Sequence, residues 1–210
     1  MIKKWFENLW YHYKWFIICG ILSVFVLTVI TVQCATKPKF DLSVVVAFNK
    51  SAMGTEQIDI IKDGLKQYAD DYNGDGEVNL NFINCTLDEN SKDVNYVISM
   101  RQKLQVSAMG ESSAILYITD DSALKYIDDI KADIGGFFQN ENLPEHSGKA
   151  LKISNMTFYK ELQKTGNNIP KNIYISKRII KDTLIELEAD VDFYEDASDN
   201  FLNNIKNANK

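Results

Sequence analysis

The chain has 210 residues, 45% hydrophobic and 25% charged, with 23 basic side chains against 29 acidic ones and a net charge of −6. Only Glu7 among the acids, and Lys3, Lys4 and Lys14 among the bases, precede Trp15, so from there on 20 bases face 28 acids, a balance of −8. Such a surplus argues against nucleic acid or an anionic lipid surface as partner of the main body. Cys19, Cys34 and Cys85 form no CxxC pair or Cys/His cluster, which argues against structural zinc, a thioredoxin-like site and a disulfide framework.

In chain order, residues 1–14 are a short basic and aromatic flank, and Trp15 to Val32 is a run of eighteen residues without a charge. As a helix it reaches about 27 Å, close to the ~30 Å hydrocarbon core of a bilayer. Thr28 and Thr31 are tolerable there because hydroxyls bond back to helix carbonyls. Trp5, Phe6, Trp10, Tyr11, Tyr13, Trp15 and Phe16 suit the headgroup layer, and Lys3, Lys4 and Lys14 outweigh the far side, where Asp41 offsets Lys37 and Lys39. The expectation is a single-pass signal-anchor in the cell membrane, with the N-terminus in the cytoplasm and the C-terminal domain outside. A cleaved signal peptide fits the residues before Cys34 poorly. A lipoprotein lacks the small residue before its cysteine, and a buried core helix leaves the aromatic cluster unexplained.

Residues 33–40, with Pro38, form a tether, and residues 41–210 are long enough for one domain with its own core. Leu42 to Phe48, LSVVVAF, reads as a strand covered on both faces. A helix opens at Thr55 and buries Ile58, Ile61, Leu65, Tyr68 and Ala69. Glu77 to Asn84 alternates like an edge strand. Lys92 to Val106 is a helix with Val94, Val97, Ile98, Met100 and Leu104 inward, and Gly110 ends it. Ala114 to Ile118 is the third strand, followed by a helix capped at Ser122 that carries Leu124, Tyr126, Ile127 and Ile130. Leu151 to Ile153 is a minor strand, Met156 to Leu162 a turn or two of helix, and Asn172 to Ser176 the fourth main strand. A last helix, Asp190 to Lys206, presents Phe193, Ala197, Phe201, Leu202 and Ile205.

The alternation predicts an α/β domain: a mostly parallel sheet of about four strands with helices on both faces. Ligands in such sheets sit beyond the strands' carboxyl ends. These are Asn49-Lys50-Ser51, Asn84-Cys85-Thr86, Thr119-Asp120-Asp121 and Lys177-Arg178, a rim able to dock a small polar solute. Polar strand ends are also ordinary in α/β proteins. Cys34 is free to pair with Cys85 or a second chain, the other option being an unpaired, buried Cys85.

Asp71-Tyr72-Asn73-Gly74-Asp75-Gly76-Glu77-Val78 matches the first two thirds of an EF-hand loop. Asp71, Asn73 and Asp75 would offer side-chain oxygens to a structural calcium and Glu77 its carbonyl, with Gly76 allowing the bend. Phe82 stands where the last, bidentate acid belongs. Asn-Gly and Asp-Gly are also plain turn formers, and such a turn needs no metal. No catalytic constellation is visible: His12 and His146 are isolated, and neither a phosphate-cradling glycine loop nor a G-x-S-x-G elbow occurs.

The segments KKWFENLWYHYKWFIICGIL, LSVVVAF, DYNGDGEVNLNFIN, ESSAILYITDD and NIYISKR resemble single-pass membrane proteins of Gram-positive bacteria. The outer part of those proteins is similar to one lobe of a periplasmic-type solute-binding protein. The resemblance implies an α/β fold outside the cytoplasm and supplies no catalytic residues. The function expected is a membrane-anchored binding or protein-interaction module contacting another membrane or surface protein. The alternative is an accessory solute-binding component of a transport system.

Overall fold

The computed structural model describes residues 2–35, 40–48, 55–87, 92–110, 113–141, 143, 148–165, 169–181, 183–187 and 190–208. The tether residues 36–39, the loop 49–54 and His146 lie outside the described residues.

Two compact units divide the chain, Met1–Lys39 and Phe40–Lys210. The first is one helix, α1 (Ile2–Ala35), so flank and apolar run share a single continuous element. Its stretch Trp10–Thr31, 22 residues, contains an 18-residue window of mean hydropathy 2.2, long and apolar enough to cross a membrane. Thr28 and Thr31 donate to the carbonyls of Val24 and Leu27, each at 2.8 Å, which satisfies both hydroxyls within the helix.

In the second unit, β1 (Leu42–Phe48) is buried at every position. It lies between β2 (Leu80–Thr86) and β3 (Leu116–Thr119), parallel to both. Beyond β3 come β5 (Tyr174–Lys177) and β4 (Leu151–Lys152), giving five strands in the order β2-β1-β3-β5-β4. The pairs β3–β5 and β4–β5 are antiparallel. The sheet is therefore mixed and five-stranded, not mostly parallel with four. The expectation took every connection for a parallel crossover, but the chain passes from β4 through α5 (Thr157–Leu162) into a β5 that runs against both of its neighbours.

Alternation along β1 feeds two cores. Leu42, Val44, Val46 and Phe48 meet α2 (Thr55–Lys66), α5 and α6 (Val191–Ala208) through Ile61, Leu65, Leu162, Phe201 and Ile205. Val45 and Ala47 face the other way, toward α3 (Val94–Gly110) and α4 (Asp121–Asp128) through Leu104, Leu124 and Ile127. Among the described residues the buried hydrophobic ones run from Leu42 to Ile205, so the unit Phe40–Lys210 has a core of its own. Cys85 is buried within the second core, next to α3.

Three helices differ from expectation in the faces they bury. On α3, Leu104 is buried, but Val94 and Ile98 are 65% and 48% exposed. On α4 and the 3₁₀ turn after it, Asp129–Ile134, Tyr126 and Ile130 are exposed as well. Phe193 of α6 is also exposed. The α4 cap is Asp120 rather than Ser122: its carboxylate accepts from the Ala123 N–H at 2.7 Å.

Candidate functional site

The loop expected to hold calcium turns its side-chain oxygens onto its own backbone. Asp71 accepts from the N–H groups of Gly74, Asp75 and Gly76 at 2.7, 3.1 and 2.7 Å. Asn73 accepts from Asp75 N–H, and Asp75 from Glu77 N–H, both at 2.9 Å. Gly74 and Gly76 take the positive φ that the bends require. Phe82, at the missing acid's position, lies in β2 and packs against the first core. The expected residues thus meet in one loop, and their oxygens serve as caps for its amides. Among the described residues no three His, Cys, Asp or Glu side chains form a metal-holding group.

The organiser of this corner is Asp41, a residue that spacing did not single out. Fully buried, it accepts from Tyr72 N–H at 2.9 Å, Asn73 N–H at 3.0 Å and Asn79 N–H at 2.7 Å. A lone acid just before a strand carries no sequence signal for this role. Burial, aided by the negative charges of Asp70 and Asp41, pushes the Tyr72 hydroxyl up to about 12.

Only part of the predicted rim assembles: the carboxyl ends of the parallel strands β1, β2 and β3 share one edge, with Phe48 opposite Thr86 and Ala47 opposite Thr119, while residues 49–51 lie outside the described residues. Because β5 runs antiparallel, Lys177 pairs with Leu116 at the opposite end of β3 from Thr119. Lys177 is buried there and ion-paired to Glu195 at 3.3 Å and to Asp199. Asp121 instead accepts from Asn172 at 3.0 Å and from the Tyr174 hydroxyl at 2.8 Å, which ties α4 to β5. These polar groups hold elements together.

One concave feature of the domain lies between α3 and α4. A groove of about 370 Å³ is lined by Leu104, Ile127, Ile130, Tyr126 and Phe137, with Arg101, Gln105 and Lys131 among its polar atoms. By helical spacing, Val94 and Ile98 continue the stripe of Arg101 and Gln105 along α3. Ligand sites are typically concave, 300–1,000 Å³, and mostly apolar with a few convergent polar groups. The groove fits that description. Its residues were missed because Ile98, Tyr126 and Ile130 read as core in the sequence. The available signal was that the apolar residues of α3 spread around the helix, more than one buried stripe can use.

Phe137 is held rigidly. The Asp128 carboxylate accepts from the N–H groups of Phe137 and Phe138 at 2.9 and 3.0 Å. Lys149 bridges it at 2.9 Å and also donates to the Gly135 carbonyl at 3.1 Å. Tyr117, Phe137 and Phe138 pack edge to face, with centroids 5.1 to 5.6 Å apart. The buried guanidinium of Arg178 lies 5.7 Å from the Phe137 ring and donates to the carbonyls of Ser107 and Ala114. On the rim, Lys131 departs from helical geometry, with φ −125° and ψ 52°, and kinks the 3₁₀ turn in its middle. Among the described residues its ammonium makes no ion pair.

Fold and site together define an α/β domain with an apolar, cation-rimmed groove, preceded in sequence by one long apolar helix. Compared with family models, with curated proteins and with solved structures, the chain matches none.

Proposed function

We propose that the chain is a membrane-anchored, extracytoplasmic binding module whose groove between α3 and α4 receives the ligand. The observation that carries this reading is the groove itself: exposed Ile130 and Tyr126 beside buried Leu104, Ile127 and Phe137. Leaving that apolar surface in water costs about 25 cal/mol per Å², which a partner recovers. The lining supplies hydrophobic area and two cations rather than a nucleophile beside a base, which favours binding over turnover. The anchor rests on the apolar stretch of α1, and its orientation on the lysine excess before Trp15.

The test is a melting-temperature screen of residues 40–210 against anionic, cationic, neutral apolar and polar solutes and candidate surface-protein fragments. A stabilising class should lose its effect in Ile130→Trp, which fills the groove from an exposed position. No stabilisation by any class would refute the reading. The alternative, an accessory solute-binding component of a transport system, predicts a polar solute at the strand ends. It ranks second because Asp120 and Asp121 there are engaged in structural hydrogen bonds.

Calcium at the loop of Asp71, Asn73, Asp75 and Glu77 is a separate proposal, supported by the spacing and by the bends at Gly74 and Gly76. With calcium held there, chelation lowers the melting temperature and Asp75→Ala removes that response. An unchanged melt on chelation leaves the self-capped turn.

A further inference from the structure

We propose that the groove between α3 and α4 receives α3 of a second copy of this chain, so that two copies pair through one shared face. The inference rests on the groove being the binding site and names its occupant. Burial along α3 is uneven. Leu104 and Ser107 are buried, whereas none of residues 94–100, VNYVISM, is, and Val94 and Ile98 stand in solvent. The polar anchors gather in the same second half: Lys103 donates to the Asn84 carbonyl at 2.9 Å, and Arg178 donates to that of Ser107 at 3.1 Å. One helix thus presents an uncharged, uncovered ridge in its first half and a wall of the groove in its second.

That order is self-complementary. Ile98 and Gln105 lie about 10 Å apart along the helix. In a two-fold pair with antiparallel α3 helices and its axis level with Arg101 and Gln102, each Ile98 comes level with Gln105 of the other copy. One operation then seats both ridges at both grooves. A cavity of about 150 Å³ takes benzene, so on that scale 370 Å³ admits two aliphatic side chains. The area also suffices. Val94, Ile98, Tyr126 and Ile130 are each at least 42% exposed. Together they leave on the order of 400 Å² of mostly apolar surface in water, where a standard interface buries about 800 Å² per partner, a little over half of it apolar. Charge points the same way. At −8 from Trp15 onward, two copies repel across most of their surfaces. The groove's rim instead carries both signs, since exposed Asp129 and Asp133 flank Lys131. Such a face prefers neither an anion nor a cation and lets a like face approach. Copies anchored in one bilayer would also meet at the high effective concentration that tethering gives.

Cross-linking of the full chain in membranes tests this. Two differently tagged copies are co-expressed, both with Cys19→Ser and Cys34→Ser so that only the buried Cys85 remains, one with Ile98→Cys and the other with Tyr126→Cys. Mild oxidation should join the two tags severalfold more than when Glu161→Cys, exposed on α5 at the other face of the sheet, replaces Tyr126→Cys. Ile130→Trp in the groove copy, or Val94→Glu in the other, should cut the yield severalfold. A yield no higher than that of the Glu161→Cys control overturns the inference, as does one that both variants leave unchanged. Linkage of Ile98→Cys to a different surface protein, with no pairing of the two tags, assigns the face to another partner and equally overturns it. The groove reading is judged apart: a solute class that stabilises the chain and loses its effect in Ile130→Trp keeps the groove as a binding site while unlinked copies remove the second copy as its occupant.

Discussion

Three residues far from any surface feature decide whether the corners of the domain hold. Asp41 is buried with three backbone N–H groups donating to it, so Asp41→Ala strands three amides at once. At roughly 1–3 kcal/mol for each buried donor left unsatisfied, part of it recovered by water, a loss of about 3 kcal/mol is expected in urea unfolding. Gly136 has φ +105°, and a Cβ there would lie 2.4 Å from Asp128 Oδ1 and 2.7 Å from Lys149 Nζ. Gly136→Ala should cost about 2–4 kcal/mol and loosen Phe137, visible as lost near-ultraviolet dichroism. Tyr72 makes the pH prediction. Its folded pKa, about 12, stands above the ordinary 10, so the stability linked to it is complete below pH 10 and drains away as pH rises toward 12. Burial also raises Tyr159 and Tyr194, which adds to the alkaline loss. Melting temperature should fall across that window, and fall less in Tyr72→Phe.

Between elements, α2 packs tightly on α5 at Gly64. Gly64 sits where a Cβ would come within 2.4 Å of the Phe158 side chain, and Phe158 is buried in the first core. Gly64→Ala gains helix propensity, about 1 kcal/mol, and loses more to overpacking, so a net cost of about 1–2 kcal/mol is expected. Pairing it with Phe158→Leu should return part of that loss in a double-mutant cycle, whereas simple additivity would mean that the two helices do not press on each other there. Sequence period was a good guide where burial is total. LSVVVAF reads as a two-faced strand, and β1 is buried at all seven positions. The α6 stripe of Ala197, Phe201, Leu202 and Ile205 is likewise buried. Strand direction was not legible, because Tyr174 to Lys177 would look the same in either sense. The groove was hidden for a related reason: periodicity assigns every apolar residue to a core, and it has no means of saying which core lacks a lid. In the Asp71 loop the spacing located the turn, and the amides that donate to its oxygens lie within the loop itself, while its tie to the buried Asp41 is tertiary and was not legible.

At the scale of the whole chain, two units of opposite surface character are joined in sequence. One is a helix whose Trp10–Thr31 stretch carries apolar side chains outward all round, and the other closes two cores around a sheet. In water the first would expose greasy surface along 22 residues, a burden that a bilayer removes and that the second unit's core does not share. Separability follows. Residues 40–210 expressed alone should be monodisperse in buffer without detergent. Their melting temperature should lie within a few degrees of the full chain in lipid nanodiscs, since none of the buried core comes from residues before Leu42. The full chain should stay with membranes after carbonate extraction, and protease added to intact cells should remove the C-terminal unit. Protection until lysis would place that unit in the cytoplasm and reverse the orientation argued from Lys3, Lys4 and Lys14, while leaving the fold and the groove as they stand. Release of the whole chain by carbonate would instead remove the anchor, and with it the reason for expecting the groove to work at a membrane.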